Sequence, residues 1–319
     1  MVRTVMIMLL ALPATAWAHG YAGKRIFPTT FEVDDPFVMD EFSVLATYAK
    51  ESGPEASQAM RTTTLSADYT ARILEHWGVT VGGEFRRVEP VGENAMHGFG
   101  GLLLGTKYQF FTSNAHETIA SIGLDAVVGN TGDPRLGTED FSILSPMLFW
   151  GKGLGDLPAR VKYARPLALT GTVGAAFPTK SRTTVPLDRW GTPAANGDNR
   201  NPTTLVWGIT VQYSLAYLQS YVEEVGLARP FNQMVPVVEF AMESCLNAGC
   251  RGQTTGSVNP GLIWFGKYVQ FGIAARIPVN SRSGSQVGVM GLFHLFVDDL
   301  LEDHDHEDKR FHPRLGLAD

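Results

Sequence analysis

The densest run of side chains with ligand chemistry is Asp303-His304-Asp305-His306-Glu307-Asp308, with His312 just beyond it. Imidazoles alternating with carboxylates bind zinc, copper or nickel weakly when no outer layer of hydrogen bonds fixes them. The same composition also reads as a solvated acidic tail, so His304, His306, His312, Asp303 and Asp305 stand as weak metal candidates, with a divalent metal as a weak partner. His19 offers a second chemistry. If the chain were cut after Ala18, a free amine and its imidazole could chelate copper together. A secreted copper enzyme built this way would need one more ligand from His76, His97, His116 or His294. Ser113-Asn114-Ala115-His116 holds the residue types of a serine hydrolase in the wrong order and spacing, and a turn leading into a strand explains the same residues. No catalytic residue is assigned, no cofactor is expected, and an enzyme is the unfavoured reading.

Cys245 and Cys250 lie close together in a stretch containing Gly and Asn. In an oxidising compartment such a pair can close a small loop. Two free thiols in a loose turn are the alternative, and two cysteines are too few for a metal site. Lys107, Gln109, Glu239, Glu243 and His294 fall in otherwise apolar or alternating segments, as do Glu84 and Arg86. If those segments cross lipid, a charge on the lipid face costs about 2 to 4 kcal/mol for Arg or Lys at the midplane. The residues are therefore expected to point into a wet lumen, where they either tune ion preference or hydrogen-bond across it.

Positioning them requires segments of the right period. The first 18 residues carry Arg3, an apolar run from Val5 to Leu12 and the small-residue site Ala16-Trp17-Ala18, which predicts a cleaved secretory signal. That run is shorter than the roughly 20 residues a spanning helix needs, and no later run reaches that length, which excludes a helical membrane protein. The chain has 34 Gly, 10% aromatic and only 18% charged residues, with its apolar residues dispersed. Strands with one face in lipid and one in water have this balance. The net charge of -6 leaves no basic footprint, so nucleic acid is not an expected partner.

Period-two alternation recurs in short segments separated by turn residues. Phe42, Val44, Ala46 and Tyr48 mark the first; Leu65 to Tyr69 and Val79 to Phe85 follow. From Gly100 to Phe111, Leu102, Leu104, Thr106, Tyr108 and Phe110 share one face, and Leu103, Gly105, Lys107 and Gln109 the other. Further candidates are Ile119 to Val128, Phe141 to Trp150, Ala159 to Leu169, Thr170 to Phe177, Leu205 to Leu218, Val235 to Glu243, Ser257 to Phe265, Tyr268 to Ile277 and Val287 to Val297. Aromatics gather near segment ends, as girdles at two lipid interfaces would. Gly151-Lys152-Gly153 and Gly266-Lys267 are read as tight turns, and Thr179 to Pro202 as a long external loop. The pattern predicts an all-β fold, an antiparallel transmembrane barrel of about 12 strands (about 10 to 14) spanning residues 40–298 in the outer membrane of a Gram-negative cell. Residues 19–39 are expected to be periplasmic or lumenal. Residues 299–319 are expected to be a disordered acidic and His-rich tail.

Carried by the signal segment, the Gly100 to Phe111 alternation, and the closing segments Ser257 to Ile277 and Val287 to Val297, the pattern resembles the transporter-like outer-membrane proteins grouped around the MetA pathway of phenol degradation. The resemblance implies a barrel with a role in moving small molecules and supplies no catalytic residues. One departure stands out: such barrels usually end on a terminal aromatic, whereas Phe296 is followed by a further polar stretch. The expected function is a channel or transporter for small molecules. A structural or metal-sequestering barrel, or a secreted copper enzyme using His19, are the alternatives.

Overall fold

A computed structural model describes residues 20–52, 59–90, 92, 94–182 and 200–302. His19, the expected signal segment, the predicted metal candidates Asp303, His304, Asp305, His306 and His312, and most of the expected loop from Thr179 to Pro202 lie outside the described residues.

A hairpin of two short strands, β1 (Tyr21–Ala22) and β2 (Arg25–Ile26), precedes twelve longer ones. These are β3 (Glu41–Ser52), β4 (Ala59–Leu74), β5 (Trp77–Pro90), β6 (Met96–Ser113), β7 (Thr118–Val128), β8 (Ile143–Gly153), β9 (Leu167–Pro178), β10 (Thr204–Tyr213), β11 (Met234–Cys245), β12 (Thr254–Phe265), β13 (Val269–Pro278) and β14 (Gly288–Phe296). They form a closed antiparallel barrel of 12 strands in which each pairs with its sequence neighbour. β14 returns to β3 with Phe293 opposite Val44, so the segment ending at Phe296 closes the sheet although the chain continues past it.

Side-chain alternation divides the wall into two surfaces. Leu65, Val81, Leu104, Tyr108, Ile122 and Ile273 are among the many large apolar side chains left exposed on the outside, Ile273 at 62%. A continuous apolar belt of this kind is unfavourable in water and is the solvated face in a bilayer. By fold and by surface the chain is an outer-membrane β-barrel. Glu41, Phe296 and the connections after β4, β6, β8, β10 and β12 lie at one end, here called proximal; the connections after β3, β5, β7, β9, β11 and β13 lie at the other, distal end.

Three segments differ from the alternation. Ala159–Ala164 is a short 3-10 turn, and residues 167–178 form one strand, so Ala159 to Leu169 is not a strand of its own. Pro158 and Pro166 bracket the turn, and neither can donate to a ladder. Gly151-Lys152-Gly153 continues β8 rather than turning. The Leu205 strand stops at Tyr213, because the Ser214 hydroxyl accepts the Tyr217 N–H at 3.1 Å and caps a helical turn, α1 (Leu215–Tyr217).

Candidate functional site

The described residues before β3 occupy the inside of this barrel. Between Pro28 and Pro36 the segment folds on its own short polar side chains. Thr30 Oγ1 donates to the Val33 carbonyl at 2.6 Å, Thr29 Oγ1 donates to Asp35 Oδ2 at 3.0 Å, and Asp35 Oδ1 accepts the Phe37 N–H at 2.9 Å. Side chains of this kind replace ladder hydrogen bonds in a compact turn.

The turn aims three successive backbone N–H groups at one wall carboxylate. Phe31 N, Glu32 N and Val33 N donate to Glu239 at 3.0, 2.8 and 3.1 Å, and Asn259 Nδ2 adds a fourth bond at 2.9 Å. Glu239 is fully buried, so these bonds replace its lost hydration. Glu32 reaches the neighbouring strands, accepting from Ser257 Oγ (2.8 Å), Asn259 Nδ2 (3.0 Å) and Arg276 Nε (3.2 Å). Across the lumen Lys107 Nζ donates to Asp34 Oδ2 and to the Asp35 carbonyl, both at 2.7 Å, while Ser121 Oγ donates to the Pro36 carbonyl. Gln270 Nε2 donates to the Thr29 carbonyl at 2.6 Å.

Apolar packing completes the seal on one side. Phe31 lies among Val235, Val237, Ile263, Phe265, Ala274, Met290 and Leu292 of β11 to β14. The wall makes room by omitting side chains: a Cβ at Gly208 would meet Val33 Cγ2 at 2.5 Å, and one at Gly261 or Gly272 would meet the Phe31 ring at 3.0 Å. The plug and the inner wall are therefore fitted to each other.

A second attachment lies at the proximal end. Arg25, 1% exposed, donates to Glu117 Oε2 at 3.2 Å, to the Pro166 carbonyl at 2.8 Å and to the Arg165 carbonyl, with its guanidinium 3.8 Å from the Tyr217 ring centroid. Glu117 also accepts Tyr217 Oη at 2.8 Å and the Gly155 N–H at 3.0 Å. Burial lowers the Arg25 pKa, opposed by Glu117, and burial followed by the bond to Glu117 raises that of Tyr217. Where the plug joins the barrel, the Asp40 carboxylate accepts the Arg72 N–H at 2.6 Å and the Asp40 carbonyl accepts the Val297 N–H at 2.9 Å. Arg72 also lies 3.2 Å from Asp298 in α2 (Val297–Glu302). Burial, and then a hydrogen bond with Asp40, raise the Asp298 pKa to about 7.

The five predicted lumen residues divide. Lys107 and Glu239 hold the plug, as above. His294 is fully buried, with Nδ1 2.8 Å from Ser43 Oγ, Nε2 3.7 Å from Glu41 and its ring edge-on to Phe296, so it belongs to the β14–β3 seam. Glu243 lines a recess of about 140 Å³ above the plug, together with Glu32, Val33, Thr172, Gly208 and Arg276. Gln109 sits beside the strand irregularity before Phe111, donates to Thr112 Oγ1 at 2.9 Å and takes no part in holding the plug. Arg86 pairs with Glu84 across one strand turn. Cys245 and Cys250 are bonded to each other in the distal β11–β12 connection. No group of three or more His, Cys, Asp or Glu side chains capable of holding a metal occurs among the described residues.

Glu32 and Asp34 stand out in the sequence only as part of a polar, Pro-interrupted start that could enter the lumen, with no role assigned, and Arg25, Glu117 and Asn259 are not singled out. A usable signal existed: five acids in residues 32–41 precede the first alternating segment, and Lys107, Ser257 and Asn259 are polar groups on inward positions of later ones.

No family model matches the chain, and no curated protein matches it. Among solved structures, it is similar to an outer membrane channel from Pseudomonas putida F1, at a TM-score of 0.53 and 9% identity over 85% of this chain and 99% of that one. More distant are a porin in complex with disordered oligogalacturonate, at TM-score 0.43 and 9% identity over 79% and 98% of the two chains, and a toluene transporter of Ralstonia pickettii, at 0.40 and 10% over 84% and 95%. At 9% identity the likeness to the Pseudomonas putida structure concerns the fold alone, a closed outer-membrane β-barrel.

Proposed function

We propose that this chain is an outer-membrane channel for small molecules, closed by its own N-terminal segment and opened when that segment shifts. The observation that carries the reading is the Glu239 carboxylate holding the N–H groups of Phe31, Glu32 and Val33 inside the lumen. A barrel needing only to be filled could use side chains of its wall. Here the filler is a separate segment that runs into the barrel wall at Asp40 and is held in the lumen by apolar packing of Phe31 and by polar contacts that can exchange for water. The proximal end would face the periplasm, since the tight turns after β4, β6 and β12 lie there and short turns belong to the periplasmic side of such barrels.

Deletion of residues 20–38 tests this in planar bilayers, with heat-modifiable mobility on gels as the check that the barrel has formed. The deletion is expected to raise single-channel conductance about tenfold or more, because the lumen then fills with electrolyte. Equal conductance of the intact and deleted proteins would remove the segment from any gating role.

A further inference from the structure

We infer that the outer surface of β3 to β6, near the distal rim, binds the phosphorylated headgroup of a lipid in the outer leaflet. The site lies on the lipid side of the wall, and it takes from the channel reading only the orientation that puts the distal end outside the cell. The outward side chains can be followed up the strands from the apolar belt. Leu65 of β4, Phe85 of β5 and Phe99 of β6 stand side by side, each 43 to 48% exposed. On the next outward positions toward the distal end, Tyr48, Thr63, Arg87 and His97 form one cross-strand row, and beyond it Lys50, Arg61 and Glu89 form another. The His97 ring lies 6.0 Å from that of Phe85, so the polar and aromatic rows share one surface. From Trp77 to Arg87 the strand runs about 33 Å, which at a tilt of about 40° is about 25 Å along the membrane normal, the height of the apolar band of such barrels. Arg87 therefore stands where hydrocarbon gives way to headgroups.

The charge is confined to this sector. Where the outward faces of later strands approach the distal end they present Leu144, Phe177, Ile277 and Val289, all exposed. Among the described residues of β7 to β14, no charged side chain faces outward in the distal half. β4, β5 and β6 are also the longest strands, with 16, 14 and 18 residues, and carry this surface past the belt. Lys50 stands directly opposite Arg61, a like-charge pair that costs stability unless an anion lies against it. Neither makes an ion pair among the described residues, and the acid of the patch, Glu89, is held by Arg87 at 2.6 Å. With strands about 4.8 Å apart, Lys50, Arg61 and Arg87 can converge on one phosphate, to which arginine presents a matching fork. The Tyr48 and Thr63 hydroxyls and the His97 ring are further polar groups in the row below. Basic clusters beside a bilayer recognise anionic headgroups in this way. The rows of Leu65, Phe85 and Phe99 directly beneath offer contact to acyl chains, which a free phosphate would not use.

The test uses the full chain in a non-ionic detergent, with heat-modifiable mobility as the check on folding and native mass spectrometry as the readout of retained lipid. Bis-phosphorylated lipid A should be retained about tenfold or more tightly than the same lipid with its phosphates removed. Lys50→Gln with Arg61→Gln should weaken retention of lipid A about tenfold and leave that of the dephosphorylated lipid unchanged. Arg282→Gln, which removes an exposed cation from the β13–β14 connection, should alter neither. Inorganic phosphate at matched concentration should not displace lipid A. Equal competition by inorganic phosphate would overturn the lipid assignment, since the phosphate alone would then account for binding. Equal retention of the phosphorylated and dephosphorylated lipids by the wild-type chain would overturn the patch, as would equal retention of lipid A by wild type and the double variant. Conductance enters none of these measurements, so their failure leaves the gating reading standing, and failure of the gating reading leaves the lipid site standing.

Discussion

The plug is attached at its two ends by opposite chemical logic. At Glu239 the wall supplies a buried charge, and the plug contributes backbone N–H groups that almost any sequence would carry, with the Glu32 carboxylate beside them adding a plug charge toward Arg276. At the hairpin the plug supplies the charge, Arg25, and the barrel contributes Glu117, two carbonyls and the Tyr217 ring. The first attachment is therefore sensitive to mutation of the wall and the second to mutation of the plug. Because both anchors are needed to keep one short segment in place, the two sets of mutants should converge on one open phenotype.

The largest effect of a single substitution is expected from Arg25→Ala. Removing one partner of a buried ion pair leaves the other uncompensated, at a cost of about 3 to 5 kcal/mol. Single-channel recording should show frequent long openings, and limited proteolysis should cut within residues 20–38. Glu239→Gln should act in the same direction more mildly, since an amide presents its NH₂ to donors and loses charge-assisted bonds worth about 1.5 to 3 kcal/mol each. If Arg25→Ala opens the channel and Glu239→Gln does not, the turn is held by packing of Phe31 rather than by the carboxylate.

A smaller effect is predicted where the plug meets the barrel. The folded-state pKa of Asp298 is raised from 3.8 to about 7, so in that window the folded protein binds more protons than the unfolded chain and stability falls as pH rises. Asp298→Asn keeps a donor toward Asp40 and should flatten the unfolding midpoint between acid and neutral pH. A midpoint that varies equally in wild type and variant would place the titration elsewhere. The smallest effect belongs to Cys245→Ser with Cys250→Ser. A sequence separation of 5 closes a short loop, for which the chain-entropy contribution is limited to about 2 to 3 kcal/mol before strain. The melting behaviour should shift little and conductance not at all.

Alternation along the chain made most of the wall legible, because a side-chain period of two follows from the pleat and lipid enforces it on one face. The segment Gly100 to Phe111 shows this: Leu104, Tyr108 and Phe110 face outward and Lys107 is buried inward. The pattern misled where period two arose without a ladder, at Ala159 to Ala164, and where glycines marked close packing rather than a turn, at Gly151, which lies against Phe27. The plug was harder to see. Its residues have no period, and its contacts join positions about 200 residues apart, such as Glu32 with Ser257 and Phe31 with Glu239. Single side chains such as Lys107 and Glu239 could be recognised as inward because a charge has only one affordable face; their partners could not, since nothing local fixes which acid of residues 32–41 meets them.

The most direct test of closure by the N-terminal segment is a reversible tether. Val33 and Gly208 face each other so closely that a Cβ at residue 208 would touch the Val33 side chain, and Val33→Cys with Gly208→Cys can bridge them. Introduced together with Glu239→Gln, the pair should form a bond that holds the turn against β10. Under oxidising conditions the openings caused by Glu239→Gln should disappear, and reductant added to the same bilayer should restore them. Openings of unchanged size and frequency in the bridged protein would contradict the account, since current would then flow without movement of the plug.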